Sequence, residues 1–77
     1  MDKPFQFDYA QSVQIVASAP AFLMPGSLVA VVGMTRLSGK REIAGMICDY
    51  GTAVYVVEYE NGHSVEVPEQ YLEALPC

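Results

Sequence analysis

The stretch Ala53-Val54-Tyr55-Val56-Val57-Glu58-Tyr59-Glu60-Asn61-Gly62-His63-Ser64-Val65-Glu66-Val67-Pro68 decides the fold. Two runs rich in β-branched and aromatic residues, Ala53 to Tyr59 and His63 to Val67, flank an Asn-Gly turn, which is a hairpin signature. Alternation sets its register. A two-residue Asn61-Gly62 loop places Val57 beside Glu66 and Glu58 beside Val65, mixing apolar and charged side chains on both faces. A three-residue Glu60-Asn61-Gly62 loop pairs Tyr55 with Val67, Val57 with Val65 and Tyr59 with His63. It puts Val56 beside Glu66 and Glu58 beside Ser64. One face is then apolar and the other mainly polar, and a buried face is what specifies register. Gly62 takes the left-handed position of such a turn. The three-residue loop is the expected one.

Upstream, Ser12 to Ala17 reads as a strand with Val13, Ile15 and Ala17 facing one way. Pro20 and Pro25-Gly26 punctuate the segment after it. Leu28 to Thr35 is a second strand, apolar on both faces, and Gly33 inside it marks a bulge or bend. Ser38-Gly39-Lys40 is a loop, and Ile43 to Tyr50 is expected to be a third strand bent at Gly45. Downstream, Pro68-Glu69 opens a helical turn, because proline and then glutamate suit a helix start. Tyr71, Leu72 and Leu75 then cap the core. Residues 1–10 form an irregular arm, with Phe5, Phe7 and Tyr9 alternating with Gln6 and Asp8. The arm covers one end of the core or adds a short edge strand. Residues 11–77 are the domain, expected to be all-β: a small five-stranded barrel with a short C-terminal helical turn. A strongly bent sheet of this size hides its apolar face by closing or nearly closing.

Composition bounds the function. With 52% hydrophobic and 17% charged residues, the chain is too apolar for disorder. Its net charge is −5, and the only basic group, Arg36, Lys40 and Arg41, adjoins Glu42. Nucleic-acid affinity comes largely from neutralising phosphates, so neither RNA nor DNA is an expected partner. No apolar run reaches the ~18 residues of a membrane span. Two cysteines, Cys48 and Cys77, are too few for a disulfide framework. The N-terminus lacks the pattern of an export signal, so a cytoplasmic location is expected.

The order of features resembles the small SH3-like barrels found in many short bacterial proteins of unknown function. The residues that carry it are Leu28-Val29-Ala30-Val31-Val32-Gly33 after a proline–glycine turn, the hairpin through Gly62, then Val65-Glu66-Val67-Pro68 and Tyr71-Leu72. The resemblance covers roughly residues 11–75 and implies a fold far better than a function. The architecture is also similar to the plasmid- and cassette-borne, trimethoprim-resistant dihydrofolate reductase, a homotetramer with a central active-site pore. In that family a Val-Gln-Ile-Tyr strand lines the pore and binds folate and NADPH. The matching stretch here is Val65-Glu66-Val67-Pro68, with an acid for the glutamine and proline for the tyrosine. An acidic pore repels NADPH phosphates and the folate tail. The resemblance therefore implies architecture and no active-site roles.

Single residues point the same way. His63, the only histidine, sits beside a hairpin turn and reads as a surface or packing residue. Cys48 adjoins Asp49, the opposite of the positive surroundings that activate a thiol, and reads as buried and structural. Glu58, Glu60, Glu66, Glu69 and Glu73 cluster in the last third without a ligand-spaced set. They read as a solvated acidic face or as a docking surface for a basic partner. Met24, Met34 and Met46 read as gap fillers, and Met34 and Met46 alternatively as part of a soft binding surface. No catalytic residue, cofactor or metal site is expected.

The functional expectation is a non-enzymatic protein-interaction module: an adaptor, accessory subunit or immunity-type inhibitor. The alternatives are a divergent reductase-like barrel enzyme and an RNA-binding barrel. The expected interface is the outer face of the hairpin, Val54, Val56, Glu58, Glu66 and Pro68, because Tyr55, Val57 and Tyr59 point inward. Apolar residues exceed what one barrel interior holds, so this face is expected to meet a protein partner or a second copy. Cover by the arm, with Phe5, Phe7 and Phe22, is the competing reading.

Overall fold

The computed structural model describes residues 5–75. It is all-β, with strands β1 (Ser12–Ile15), β2 (Leu28–Arg36), β3 (Arg41–Ile43), β4 (Met46–Cys48), β5 (Ala53–Tyr59), β6 (Ser64–Pro68) and β7 (Leu72–Ala74). Two single 3-10 turns, Ala21–Leu23 and Glu69–Tyr71, interrupt the loops. Five strands form one antiparallel sheet in the order β6-β5-β2-β1-β7, and β3 and β4 form a separate hairpin.

The β5–β6 hairpin has the three-residue-loop register. Tyr55 pairs with Val67, Val57 with Val65, Val56 with Glu66, and Glu58 with Ser64. The Tyr59 N–H donates to the His63 carbonyl at 2.7 Å, and Gly62 closes the turn at φ 92°. Tyr55, Val57, Tyr59 and Val67 face inward and are buried. Against β5, the register of β2 shifts between Val31 and Gly33, so Val32 is the extra residue of a β-bulge. The bulge bends β2 and lets one strand serve both halves of the sheet.

The inner face of the bent sheet holds the main core: Val13, Ile15, Val29, Val31, Tyr55 and Val57 at its centre. The expected barrel closure does not occur. β6 pairs only with β5, β7 only with β1, and the Glu69–Tyr71 turn links the two without a ladder. Closure is not needed, because Leu23 and Ala19 from the β1–β2 loop and Phe7 from the arm pack into the same core and lid the open side. The arm adds no strand among the described residues. Phe5 and Phe7 instead meet the Tyr55 ring edge-on, with centroids 5.9 and 5.6 Å away.

Ile43 to Tyr50 is not one strand. Ala44 and Gly45, at φ 54° and 84°, form a two-residue turn between Ile43 and Met46. Positive φ at both central residues is the type I′ pattern, whose twist suits tight hairpins. The β3–β4 hairpin folds back onto the outer face of the sheet. There Leu37, Ile43, Cys48 and Val54 form a second buried cluster. Part of the apolar surplus, Val54 above all, is thus covered within one chain, by a hairpin rather than by the arm.

Candidate docking face

The β3–β4 hairpin divides the outer sheet face in two. Over the covered half, Val54 is 1% exposed and Pro68, opposite it, is also fully buried. Both residues are therefore removed from the expected interface. Val56 and Glu66 are half-buried at the boundary. The Arg41 guanidinium donates to the Glu66 carboxylate at 2.9 Å, tying β3 to β6. Glu58 alone of the expected interface residues is exposed, because it lies beyond the hairpin.

The uncovered half is built by β1, β2, β5 and β7. Directly opposite residues in antiparallel strands share a face. Glu58 pairs with Ala30, and Ala30 with Ser12, forming one row across the sheet. Leu28 pairs with Gln14, and Gln14 with Glu73, forming the next. Leu28 is 60% exposed in the middle of this face. Met24, 49% exposed on the β1–β2 loop, shares a depression with Leu28, and Phe22, 63% exposed, shares another with Met24.

That loop is held firmly in place. Met24, at φ 58°, donates its N–H to the Ala21 carbonyl and accepts from the Ser27 N–H. The Gly26 N–H donates to the Ile15 carbonyl at 2.8 Å, and the Ile15 N–H donates to the Ser27 carbonyl at 2.9 Å. The Tyr59 hydroxyl donates to the Leu23 carbonyl at 2.6 Å, fixing the loop to the end of β5. Burial pushes the Tyr59 hydroxyl pKa up, so it remains a donor through the neutral range.

Three open depressions meet around Tyr59 at this end of the sheet. One of about 450 Å³ lies between Met24, Leu28 and Glu60. A second of about 220 Å³ lies between Phe22, His63 and Val65, and a third of about 430 Å³ between Leu28, Glu58 and Leu75. Tyr59 borders all three. No lysine or arginine lines any of them, whereas Glu58 and Glu60 do.

The other residues of chemical interest lie apart. His63 is exposed, and its N–H donates to the Asn61 side chain. The Cys48 thiol is buried under the hairpin and donates to the Met46 carbonyl at 3.6 Å. Met34 and Met46 are partly buried against the two cores. Cys77 lies outside the described residues. The five late acids do not form one patch. Glu69 accepts from the Tyr55 hydroxyl and the Gln6 N–H, and Glu66 meets Arg41, leaving Glu58, Glu60 and Glu73 on the open half. Among the described residues no three His, Cys, Asp or Glu side chains are grouped to hold a metal, and no helix is long and apolar enough to cross a membrane.

Sequence reasoning misses Leu28, Met24 and Phe22 as an exposed group. Their signal is a loop between Pro20 and Gly26 that keeps large apolar residues where loops usually carry polar ones. No protein-family model matches the chain, and neither a curated protein nor a solved structure matches it.

Proposed function

We propose that the chain is a non-enzymatic protein-interaction module that docks its partner on the uncovered half of the outer sheet face. One observation carries this reading. Phe22, Met24 and Leu28 stay exposed around one pinned loop, at the end of the sheet that the β3–β4 hairpin leaves uncovered. A preformed apolar surface rimmed by polar groups is a common form of protein interface. The hairpin that ends in a 3-10 turn before the last strand supports kinship with the small SH3-like barrels, with the sheet left open. Val67 and Pro68 support a structural rather than catalytic role for the strand that matches the reductase pore, because both are buried inside this chain.

The test is capture of partners from a lysate by the immobilised chain, compared with Leu28→Asp and Met24→Asp. Both substitutions fall on exposed positions and are expected to change stability by no more than ~0.5 kcal/mol. A partner retained by the parent and lost by both variants is the expected result. Partners retained equally by folded variants overturn the choice of face. NADPH-dependent dihydrofolate reduction above background overturns the non-enzymatic reading.

A further inference from the structure

We infer that the occupant of this face is a basic segment of another protein, one that sets an apolar side chain against Leu28 and Met24 and flanks it with lysine or arginine. The inference rests on the docking reading above and names the partner's chemistry. The apolar floor is ringed by Glu58 and Glu60, with Glu73 in the same row as Leu28, and all three are exposed. No described cation faces them from any neighbouring strand. The described cations all lie at the other end of β2 and on β3 or the loop before it, and each is engaged. Arg36 donates to the Gly51 carbonyl at 2.9 Å and lies over the Phe5 ring. Lys40 is 3.7 Å from Asp49, and Arg41 is 2.9 Å from Glu66.

This segregation also argues against a second copy as the occupant. Its described cations lie away from this face, at the far end of β2 and on β3 or the loop before it, and two chains of net charge −5 repel each other. An acidic rim around an apolar floor steers and orients a partner of opposite charge while rejecting acidic ones. The floor supplies the area and the rim supplies the selectivity.

The test titrates the isotope-labelled chain with three capped hexapeptides, of alternating Lys-Leu, Glu-Leu and Ser-Leu, and tracks backbone amides by NMR. The Lys-Leu peptide is expected to shift the amides of Leu28, Ala30, Glu58 and Glu60, with affinity at least about tenfold above the Glu-Leu peptide. The Glu58→Gln/Glu60→Gln double variant is expected to lose about tenfold for Lys-Leu and to bind Ser-Leu as the parent does. Raised salt should weaken Lys-Leu binding and leave Ser-Leu unaffected. If Ser-Leu or Glu-Leu binds this face as well as Lys-Leu, the docking reading survives and the basic partner is overturned. Absence of any shift on this face at about 1 mM of all three peptides overturns both. Concentration-dependent shifts of the same amides in the chain alone make a second copy the occupant and overturn a foreign one.

Discussion

Replacing Tyr55 by phenylalanine removes one oxygen from a node that ties three segments together. The Tyr55 ring is fully buried at the centre of the core. Its hydroxyl donates to the Glu69 carboxylate and accepts from the Phe7 N–H at 3.2 Å. Arm, β5 and the 3-10 turn before β7 therefore meet at one atom. A hydrogen bond to a charged group contributes about 1.5–3 kcal/mol, and a neutral one about 0.5–1.5 kcal/mol. Glu69 is half-exposed and keeps the Gln6 N–H, so it recovers part of the loss from water. The Phe7 N–H does not. The expected cost of Tyr55→Phe is about 2 kcal/mol, or a fall in melting temperature of roughly 8–16 °C for a domain of this size. The second signature is its pH dependence. Burial first, and then the hydrogen bond to Glu69, raise the Tyr55 pKa above its ordinary 10.0. A raised pKa means the folded state holds the proton more tightly than the unfolded chain does. The contribution is fully present below about pH 10 and is lost as pH rises through the folded value. Urea unfolding monitored by circular dichroism, at neutral pH and at steps above pH 10, measures both. Parent and variant should differ most at neutral pH and converge in alkali. A cost below ~0.5 kcal/mol at neutral pH, or a gap that stays constant above pH 10, refutes the node.

Two further substitutions test the hairpins. Val54→Ala opens space between the sheet and the β3–β4 hairpin and should cost about 2 kcal/mol by calorimetry; a change within ~0.5 kcal/mol would mean that the second cluster is not packed as described. Gly62→Ala forces a side chain into the left-handed turn and should cost about 1–2 kcal/mol. Gly39→Ala, at an open position without positive φ, should stay within ~0.5 kcal/mol, and equal effects of the two would contradict the turn assignment.

The parts of this fold legible in the sequence were those governed by local alternation. Tyr55, Val57 and Tyr59 alternate with residues of the other face over a whole strand, so a single register satisfies them. Gly33 marked the bulge, and Pro68-Glu69 marked the 3-10 turn. Strands of three residues such as Arg41–Ile43 and Met46–Cys48 are too short for a period to appear. Their turn also depends on Ala44 at positive φ, which its side chain does not advertise. Missing that hairpin carried over to the site. Val54 does point away from the main core, as alternation requires, yet what lies above it is set by contacts between residues far apart in sequence. Glu58 was legible as exposed because it sits opposite Ser64 on the polar face. Phe22 and Met24 sit in a loop that has no period to read.

A sheet left open at β6 and β7 keeps two rims on which a stray chain can crystallise into a fibre. Each rim is blunted here. β7 is only three residues long and carries Glu73 in its middle, so a growing stack would bring like charges into register. β6 ends in Pro68, which offers no N–H to an incoming strand, and Arg41 reaches across to Glu66 midway along it. The chain can therefore do without a closed barrel and still resist templated aggregation at high concentration. Glu73→Val would strip the charge from one margin alone, whereas Pro68 is buried as well as lacking its N–H, so replacing it would also disturb the packing beneath it.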